Sequence, residues 1–384
     1  MRALGVPRNL GGPIFSTDRG VVGEATERNK INMKWFITGG AGFIGSNAVH
    51  RALERGHEVV VFDNLSRTGS ERNLEWLRTL GTFEFIQGDV RNPQDLHAAL
   101  ARHRATNVLL HLAAQMAVTT SVQDPRTDFE INALGTFNVL ESVRSLDMSP
   151  VIINASTNKV YGALSDVGVQ EHERRYALAD LPGGVPETRS IDFHSPYGCS
   201  KGCADQYVID YARIYGLRTV NFRQSCIYGY RQFGVEDQGW VAWFIIASLT
   251  GRPITIYGNG KQVRDVLFVD DLVDAYWAAV ENIDRVSGQT FNVGGGPENS
   301  ISLLEFLEMI EELLGRKIIC ETADWRPGDQ PIYVSDLHRI KDALGWRPKI
   351  SVRCGVKLLF DWVQENLDLF QDTGASNKSF HGKA

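Results

Sequence analysis

Tyr197 and Lys201 stand four residues apart in Tyr-Gly-Cys-Ser-Lys, a spacing that places two side chains one turn apart on a single helix face. An ammonium held near a phenol favours the phenolate, because a neighbouring positive charge stabilises the charged form. A tyrosine so poised can take or return a proton near neutral pH. The pair gains meaning from the run Thr38-Gly-Gly-Ala-Gly-Phe-Ile-Gly45, which follows an apolar stretch at 34–38 and opens a helical pattern at 43–55. Gly39, Gly42 and Gly45 permit a tight turn, and they let the backbone approach a pyrophosphate at a helix N-terminus, where free N–H groups and the helix dipole favour anions. Phe43 and Ile44 complete this turn. Asp63 ends the next apolar run, 18 residues beyond Gly45. A carboxylate there grips the adenosine ribose hydroxyls of NAD and repels the extra phosphate of NADP. Asn64, Ser66 and Arg67 follow as candidates for the same end of the cofactor, and the charge of Arg67 leaves NADP open.

Positioning these residues takes a sheet. Short apolar runs recur at 58–62, 83–86, 107–111, 151–155 and 219–222, with helical patterns between most of them, including 93–104 and 128–146. Alternating helices and fully apolar strands predict an α/β fold, a Rossmann-type doubly wound parallel sheet covered on both faces. Asp89 and Val90 after the third strand, and Leu112, Ala113 and Gln115 after the fourth, then fall beside the cofactor. So do Asn132, on a helix under the site, and Ser225, after the strand at 219–222. Beyond residue 226 the pattern changes to a smaller mixed α/β substrate-binding C-terminal lobe. Strands are expected at 254–257 and 317–321, and helices at 302–314, 336–344 and 356–365. Ser302 with Glu305 reads as a capping box. The expected organisation is an NAD-binding domain over 33–225 and a mostly substrate-binding lobe over 226–370, some of whose segments return to the main sheet. Disordered extensions are expected at 1–32 and 371–384, with the functional domain starting at Met33.

With 384 residues, 43% hydrophobic and 22% charged, and a net charge of −6, the chain has the composition of a globular protein. It lacks the basic excess of a nucleic-acid or anionic-membrane binder, so no nucleic-acid or membrane partner is expected. No apolar run approaches the roughly 18–20 residues that span a bilayer. Five scattered cysteines show no metal-ligand spacing and read as reduced thiols of a cytoplasmic protein; no metal is expected.

These residues together resemble the extended short-chain dehydrogenase/reductase family of nucleotide-sugar-modifying enzymes, over essentially all of 33–367. In that family a Ser or Thr ends the fifth strand shortly before Val-Tyr-Gly, and here the run is Ala155-Ser-Thr-Asn-Lys-Val-Tyr-Gly162. The resemblance implies a catalytic set of Thr157, Tyr197 and Lys201. Tyr197 would move the sugar hydroxyl proton, Lys201 would lower its pKa and bind the nicotinamide ribose, Thr157 would hydrogen-bond the reacting oxygen, and NAD would carry the hydride. The family's sugar 4,6-dehydratases follow this threonine with an Asp–Glu pair that handles loss of water. Asn158 and Lys159 stand here instead, which points to hydride removal and return, an epimerisation.

The longer runs 156–162, 192–202, 230–240 and 258–265 are similar to the branch of the family that inverts carbon 2 of a CDP-linked 3,6-dideoxyhexose. That likeness implies such a substrate, tightly held NAD and a homo-oligomer, tetramer or dimer. Arg264 and Arg326 match family arginines that grip the nucleotide diphosphate, and Asp329 matches a nucleotide-ribose carboxylate. Two alternatives stay open, a UDP-sugar 4-epimerase and a non-catalytic NAD-binding protein of the same fold. Asp270 and Asp271 are expected to cap the helix that follows them. Trp240 and Trp243 could line a sugar pocket or pack in the core.

Overall fold

The computed structural model describes residues 32–326 and 329–371; all but Asn32 and Gln371 of the extensions expected at 1–32 and 371–384 lie outside them. The chain begins β1 (Lys34–Thr38), α1 (Phe43–Glu54), β2 (Glu58–Asp63), α2 (Ser70–Leu80), β3 (Glu84–Gln87), α3 (Pro93–Arg102) and β4 (Val108–His111). Two short helices, α4 (Val118–Gln123) and α5 (Pro125–Phe129), lead through a π turn at Glu130–Leu134 into α6 (Gly135–Ser145) and β5 (Val151–Thr157). A small hairpin, β6 (Val169–Glu171) and β7 (Tyr176–Leu178), precedes the long α7 (Ser195–Tyr215), β8 (Arg218–Gln224) and β9 (Cys226–Tyr228). Then come α8 (Trp240–Thr250), β10 (Ile254–Tyr257), β11 (Val263–Phe268), α9 (Val269–Glu281), α10 (Ile283–Val286) and β12 (Gln289–Val293). The chain closes with β13 (Ser300–Ser302), α11 (Leu303–Leu314), β14 (Cys320–Ala323), β15 (Ile332–Tyr333), α12 (His338–Leu344), α13 (Val352–Glu365) and α14 (Asp368–Gln371).

Seven strands form one sheet in the order β12-β8-β5-β4-β1-β2-β3, and every neighbouring pair is parallel. Side chains alternate across each strand, so both faces must be covered. Trp35, Ile37, Val59, Val61, Leu110 and Ile153 face α1 and α9, where Trp35 stacks on Trp277 with ring centroids 4.3 Å apart. Phe36, Val60, Phe62, Leu109 and Ile152 face α3, α6 and α7 through Leu96, Leu140, Val143 and Val208. β12 reaches this sheet from late in the chain, and α9 is tied to α1 by an ion pair between Arg51 and Asp274 at 2.9 Å. The remaining strands form smaller groups, β10 with β14 and β11 with β9, β13 and β15.

Several expectations shift in detail. The single helix foreseen at 128–146 is broken, because five residues wind as a π turn around Asn132; such turns recur at functional sites. Asp270 and Asp271 do not cap α9, whose first turn has no side-chain cap. Asp271 instead accepts from the Lys349 and Ile350 N–H groups at 3.0 and 2.9 Å and so latches the C-terminal segment to α9. α12 starts two residues later than foreseen, and α14 reaches Gln371, inside the expected tail. The capping box of α11 forms as read.

One buried charge holds the middle of the sheet. Asp205 on α7 is fully buried. It receives Ser156 Oγ at 2.6 Å, Asn221 Nδ2 at 2.6 Å, and the Arg223 Nε and guanidinium NH2 groups at 3.0 and 2.9 Å. These bonds join α7, β5 and β8. Removing one partner of a buried ion pair leaves an uncompensated charge, so Asp205→Ala should destabilise the protein by about 3–5 kcal/mol, measured by urea unfolding.

Candidate active site

A cavity of about 350 Å³ opens along the carboxyl ends of the sheet strands, where the strand order reverses between β1 and β4, the usual ligand site of such sheets. Its floor is the glycine turn. Gly39 has φ +69°, and a Cβ there would lie 2.7 Å from the Ala113 N. A Cβ on Gly45 would come 2.1 Å from the Gly39 carbonyl oxygen, so the turn closes only without side chains. No side chain caps α1, which leaves its first N–H groups facing the cavity. Gly42, Phe43, Ile44, Asn64, Ser66, Arg67, Asp89, Val90, Leu112, Ala113 and Ser225 all line the same space.

Asp63 lines it too, but its carboxylate also braces the turn, accepting from Ala41 N–H at 3.0 Å and Leu65 N–H at 2.8 Å. Burial pushes its pKa up and those bonds oppose the shift. Asp89 is held at about 2, first by the Arg91 side-chain bonds, with Asn64 donating to it at 2.8 Å.

The three residues of the expected catalytic set meet at the other end of the cavity. Thr157 is the last residue of β5, and its hydroxyl receives the Lys159 N–H and donates to Asn158 Oδ1, each at 3.3 Å. Tyr197 is buried in the first turn of α7, which Ser195 starts with φ +62° and an Oγ that accepts the Gly198 N–H at 3.2 Å. Burial pushes the Tyr197 phenol up to about 12, against a hydrogen bond with Thr157. Burial likewise brings Lys201 down to about 8, while Asp205 and Asp128 draw it up. The four-residue spacing predicts an ammonium that pulls the phenol down. As the side chains stand, desolvation dominates both groups, and Lys201 Nζ donates to the Ala155 carbonyl at 2.5 Å.

Gln115 and Asn132, foreseen as cofactor contacts, do not line the cavity. Asn132 accepts the Gln115 N–H at 2.9 Å and donates to the Gln115 carbonyl at 3.0 Å and to Asp128 and Ser200, each at 3.1 Å. Ser200 sits between Tyr197 and Lys201 in sequence and donates to the buried Asp128. The π turn thus packs against α7 and sets the two side chains in place.

The substrate-side candidates lie beyond the cavity wall. Arg264 on β11 pairs with Asp329 at 3.2 Å. Arg326 pairs with Asp237 at 3.1 Å, and its guanidinium lies 3.8 Å from the centroid of the Tyr257 ring. Trp240 lines the cavity, whereas Trp243 sits under Arg252. The sequence reading gave no site role to the cavity-lining stretch Arg231, Gln232, Phe233, Gly234, Gln238 and Gly239. Gln238 accepts from Arg67, and Phe233 packs so closely on Gly69 that a Cβ there would meet its ring at 2.1 Å. The signals in the sequence are the glycine- and charge-rich run itself and the family likeness of 230–240, neither of which says that it folds over the glycine-turn end of the cavity. Among the described residues no group of three or more His, Cys, Asp or Glu side chains could hold a metal.

A doubly wound parallel sheet, a glycine turn at its switch point and a Thr–Tyr–Lys set at the cavity's far end define a short-chain dehydrogenase/reductase of the extended, nucleotide-sugar type. The chain belongs to the family described as GDP-mannose 4,6 dehydratase, whose profile matches residues 36–359. It is 48% identical to the CDP-paratose 2-epimerase of Salmonella typhi over 336 residues, 86% of this chain and 99% of that protein. The crystal structure of the Thermus thermophilus UDP-glucose 4-epimerase complex with NAD is similar with a TM-score of 0.73 and 32% identity, covering 87% of this chain and 100% of that one. DesIV, the dTDP-glucose 4,6-dehydratase of Streptomyces venezuelae crystallised with NAD, aligns with a TM-score of 0.75 and 26% identity over 88% of this chain and 98% of its own.

The position of Lys201 has a cost that can be measured. Its proton is held less tightly in the fold, at about 8, than at its ordinary 10.5. Between those values the unfolded chain binds more protons, so stability should rise with pH across that window. On protein freed of bound nucleotide, Lys201→Met should be more stable than wild type at pH 7 by up to about 3 kcal/mol, the gap closing towards pH 10.5. Parallel pH profiles of the two unfolding free energies would overturn this.

Proposed function

We propose that this chain is an NAD-dependent epimerase that converts CDP-paratose to CDP-tyvelose by transient oxidation at carbon 2 and return of the hydride to the opposite face. The observation that carries the reading is the convergence of Thr157, Tyr197 and Lys201 on one cavity with Asn158 and Lys159 in place of an acid–base pair. The likeness to the Salmonella typhi enzyme supports the choice of sugar.

The residues present fit a dinucleotide. The glycine turn admits a pyrophosphate against the uncapped start of α1, and Asp63 with Asn64 suits the adenosine ribose. Arg67 is engaged by Gln238, which favours NAD over NADP. Bound NAD supplies the acceptor and later the donor of the hydride. The protein's share is proton control and positioning. Tyr197 receives the proton of the carbon-2 hydroxyl and later gives it back. Thr157, hydrogen-bonded to that phenol, holds the reacting oxygen as charge develops on it. Lys201, one helical turn from the phenol, is the cation expected to favour the phenolate once cofactor and substrate are in place; as the side chains stand, burial holds the phenol up. Asn158 is neutral and engaged by Thr157, so no carboxylate follows the threonine to draw off a second proton and expel water.

Tyr197→Phe should lower turnover by about 10²-fold or more while NAD still co-purifies; wild-type rates in that variant would sink the reading. Offering CDP- and UDP-sugars and finding by NMR which carbon inverts decides between this reaction and the UDP-sugar 4-epimerisation of the Thermus relative. In D₂O the product should carry no deuterium at carbon 2, because the hydrogen returns as hydride.

A homo-oligomer and a cytoplasmic setting belong to the same proposal. Phe129 on α5 and Tyr207, Ile214 and Tyr215 on α7 are each exposed, on two helices that pack on each other, and would suit a second copy. Light scattering should give a multiple of 42.8 kDa, reduced to the single-chain mass by Tyr215→Glu. All five cysteines are free thiols, as in a reducing compartment. No described helix is long and apolar enough to cross a membrane.

A further inference from the structure

Lys159 stands two residues beyond Thr157, in the 3-10 turn Asn158–Tyr161 that ends β5. Its own N–H bonds the Thr157 hydroxyl, so the backbone that presents the threonine also aims this side chain. Nζ is half-buried between the β5 end and the segment before β15, 3.4 Å from Gln330 Oε1. Gln330 is itself tied to the Gly162 carbonyl through its amide nitrogen. The charged groups facing the ammonium are Arg264 of β11, which repels it, and Asp329, which attracts it, with the Cys226 thiol of β9 adding a weaker pull.

The charges in this cluster do not balance. Arg264 already spends one N–H on Asp329 and another on the Val263 carbonyl at 2.8 Å. Two cations therefore share one carboxylate, and Lys159 has a long contact to a neutral amide. Burial and Arg264 bring the ammonium down to about 8. An unbalanced, half-buried cation is unfavourable unless an anion completes it. The cluster adjoins Cys226, which lines the cavity, on the side away from the glycine turn.

We infer that Lys159 and Arg264 form a two-cation clamp for the substrate diphosphate, with Lys159 on the sugar-linked phosphate, so that the residue replacing a dehydratase carboxylate sets how the sugar ring is presented to Thr157 and Tyr197. The inference rests on the nucleotide-sugar reading above. Lys159 contributes a compact point charge, and Arg264 a fork with N–H groups to spare. A carboxylate in the place of Lys159 would repel the same phosphate.

CDP and CMP differ in the phosphate assigned to Lys159, and their binding to the NAD-loaded protein can be measured by calorimetry without turnover. Lys159→Met should weaken CDP by about tenfold or more while changing CMP by less than about twofold, and Lys159→Arg should recover most of the loss. Equal weakening of both ligands, which a tie to Gln330 alone would produce, overturns the inference, as does an unchanged ratio of CDP to CMP affinity. Should Lys159→Met fail to retain NAD, Lys159→Gln is read by the same ratio. If the wild-type protein prefers uridine nucleotides, the CDP-sugar reading falls, and UDP against UMP still tests Lys159.

Discussion

The helix that carries Tyr197 and Lys201 runs between two buried carboxylates, and the site depends on that arrangement. Asp205 ties its middle to Ser156, Asn221 and Arg223 on the two central strands. Asp128 ties its first turns to the π turn through Ser200, Asn132 and Gln115. Both carboxylates draw on the Lys201 charge. Each of the two carboxylates has its donors, which lets charge sit in the interior where an isolated ion would neutralise itself. The same bonds leave Tyr197 and Lys201 little freedom to move relative to Thr157, and catalytic geometry needs that rigidity more than it needs added stability.

The two ends of the cavity are built on different physics. At the glycine turn the backbone supplies the contacts, and the requirement is space: Gly39 and Gly45 face other backbone atoms at distances no side chain tolerates. At the Thr157 end side chains supply the contacts, and the requirement is desolvation, which drives the Tyr197 and Lys201 pKa values apart, to about 12 and about 8. One end is shaped to admit an anion without an ionisable group. The other holds two ionisable groups whose burial disfavours the charged form of each.

Much of this was legible in the chain because it is local. The strand periodicity, the glycine spacing and the capping box at Ser302 depend on a few consecutive residues, and they appear where the pattern places them. A sequence shows that a polar residue lies near a site but not which way it faces: the Asn132 side chain bonds the Gln115 backbone and Ser200 of α7, and the Gln115 side chain bonds Ala117 and Asp128. The 231–239 stretch was missed because its role comes from folding back over Gly69 and Arg67, residues more than 150 positions earlier. The pairings of Arg264 with Asp329 and of Arg326 with Asp237 are likewise products of tertiary contact.

The sheet order also bears on how the protein is made. β8 occupies the interior of the finished sheet, but its outer neighbour β12 comes from Gln289–Val293, after α8, β10, β11 and α9 have been made. During synthesis β8 therefore emerges as an open edge, with unpaired N–H and carbonyl groups beside the strand that ends at Gln224. Such an edge is a template for wrong partners, and closing it waits on a contact of long sequence separation, the slow kind. A nascent chain paused before Gln289 would hold six of the seven strands of the main sheet with the β8 edge unsealed, the stage at which chaperone contact would matter most.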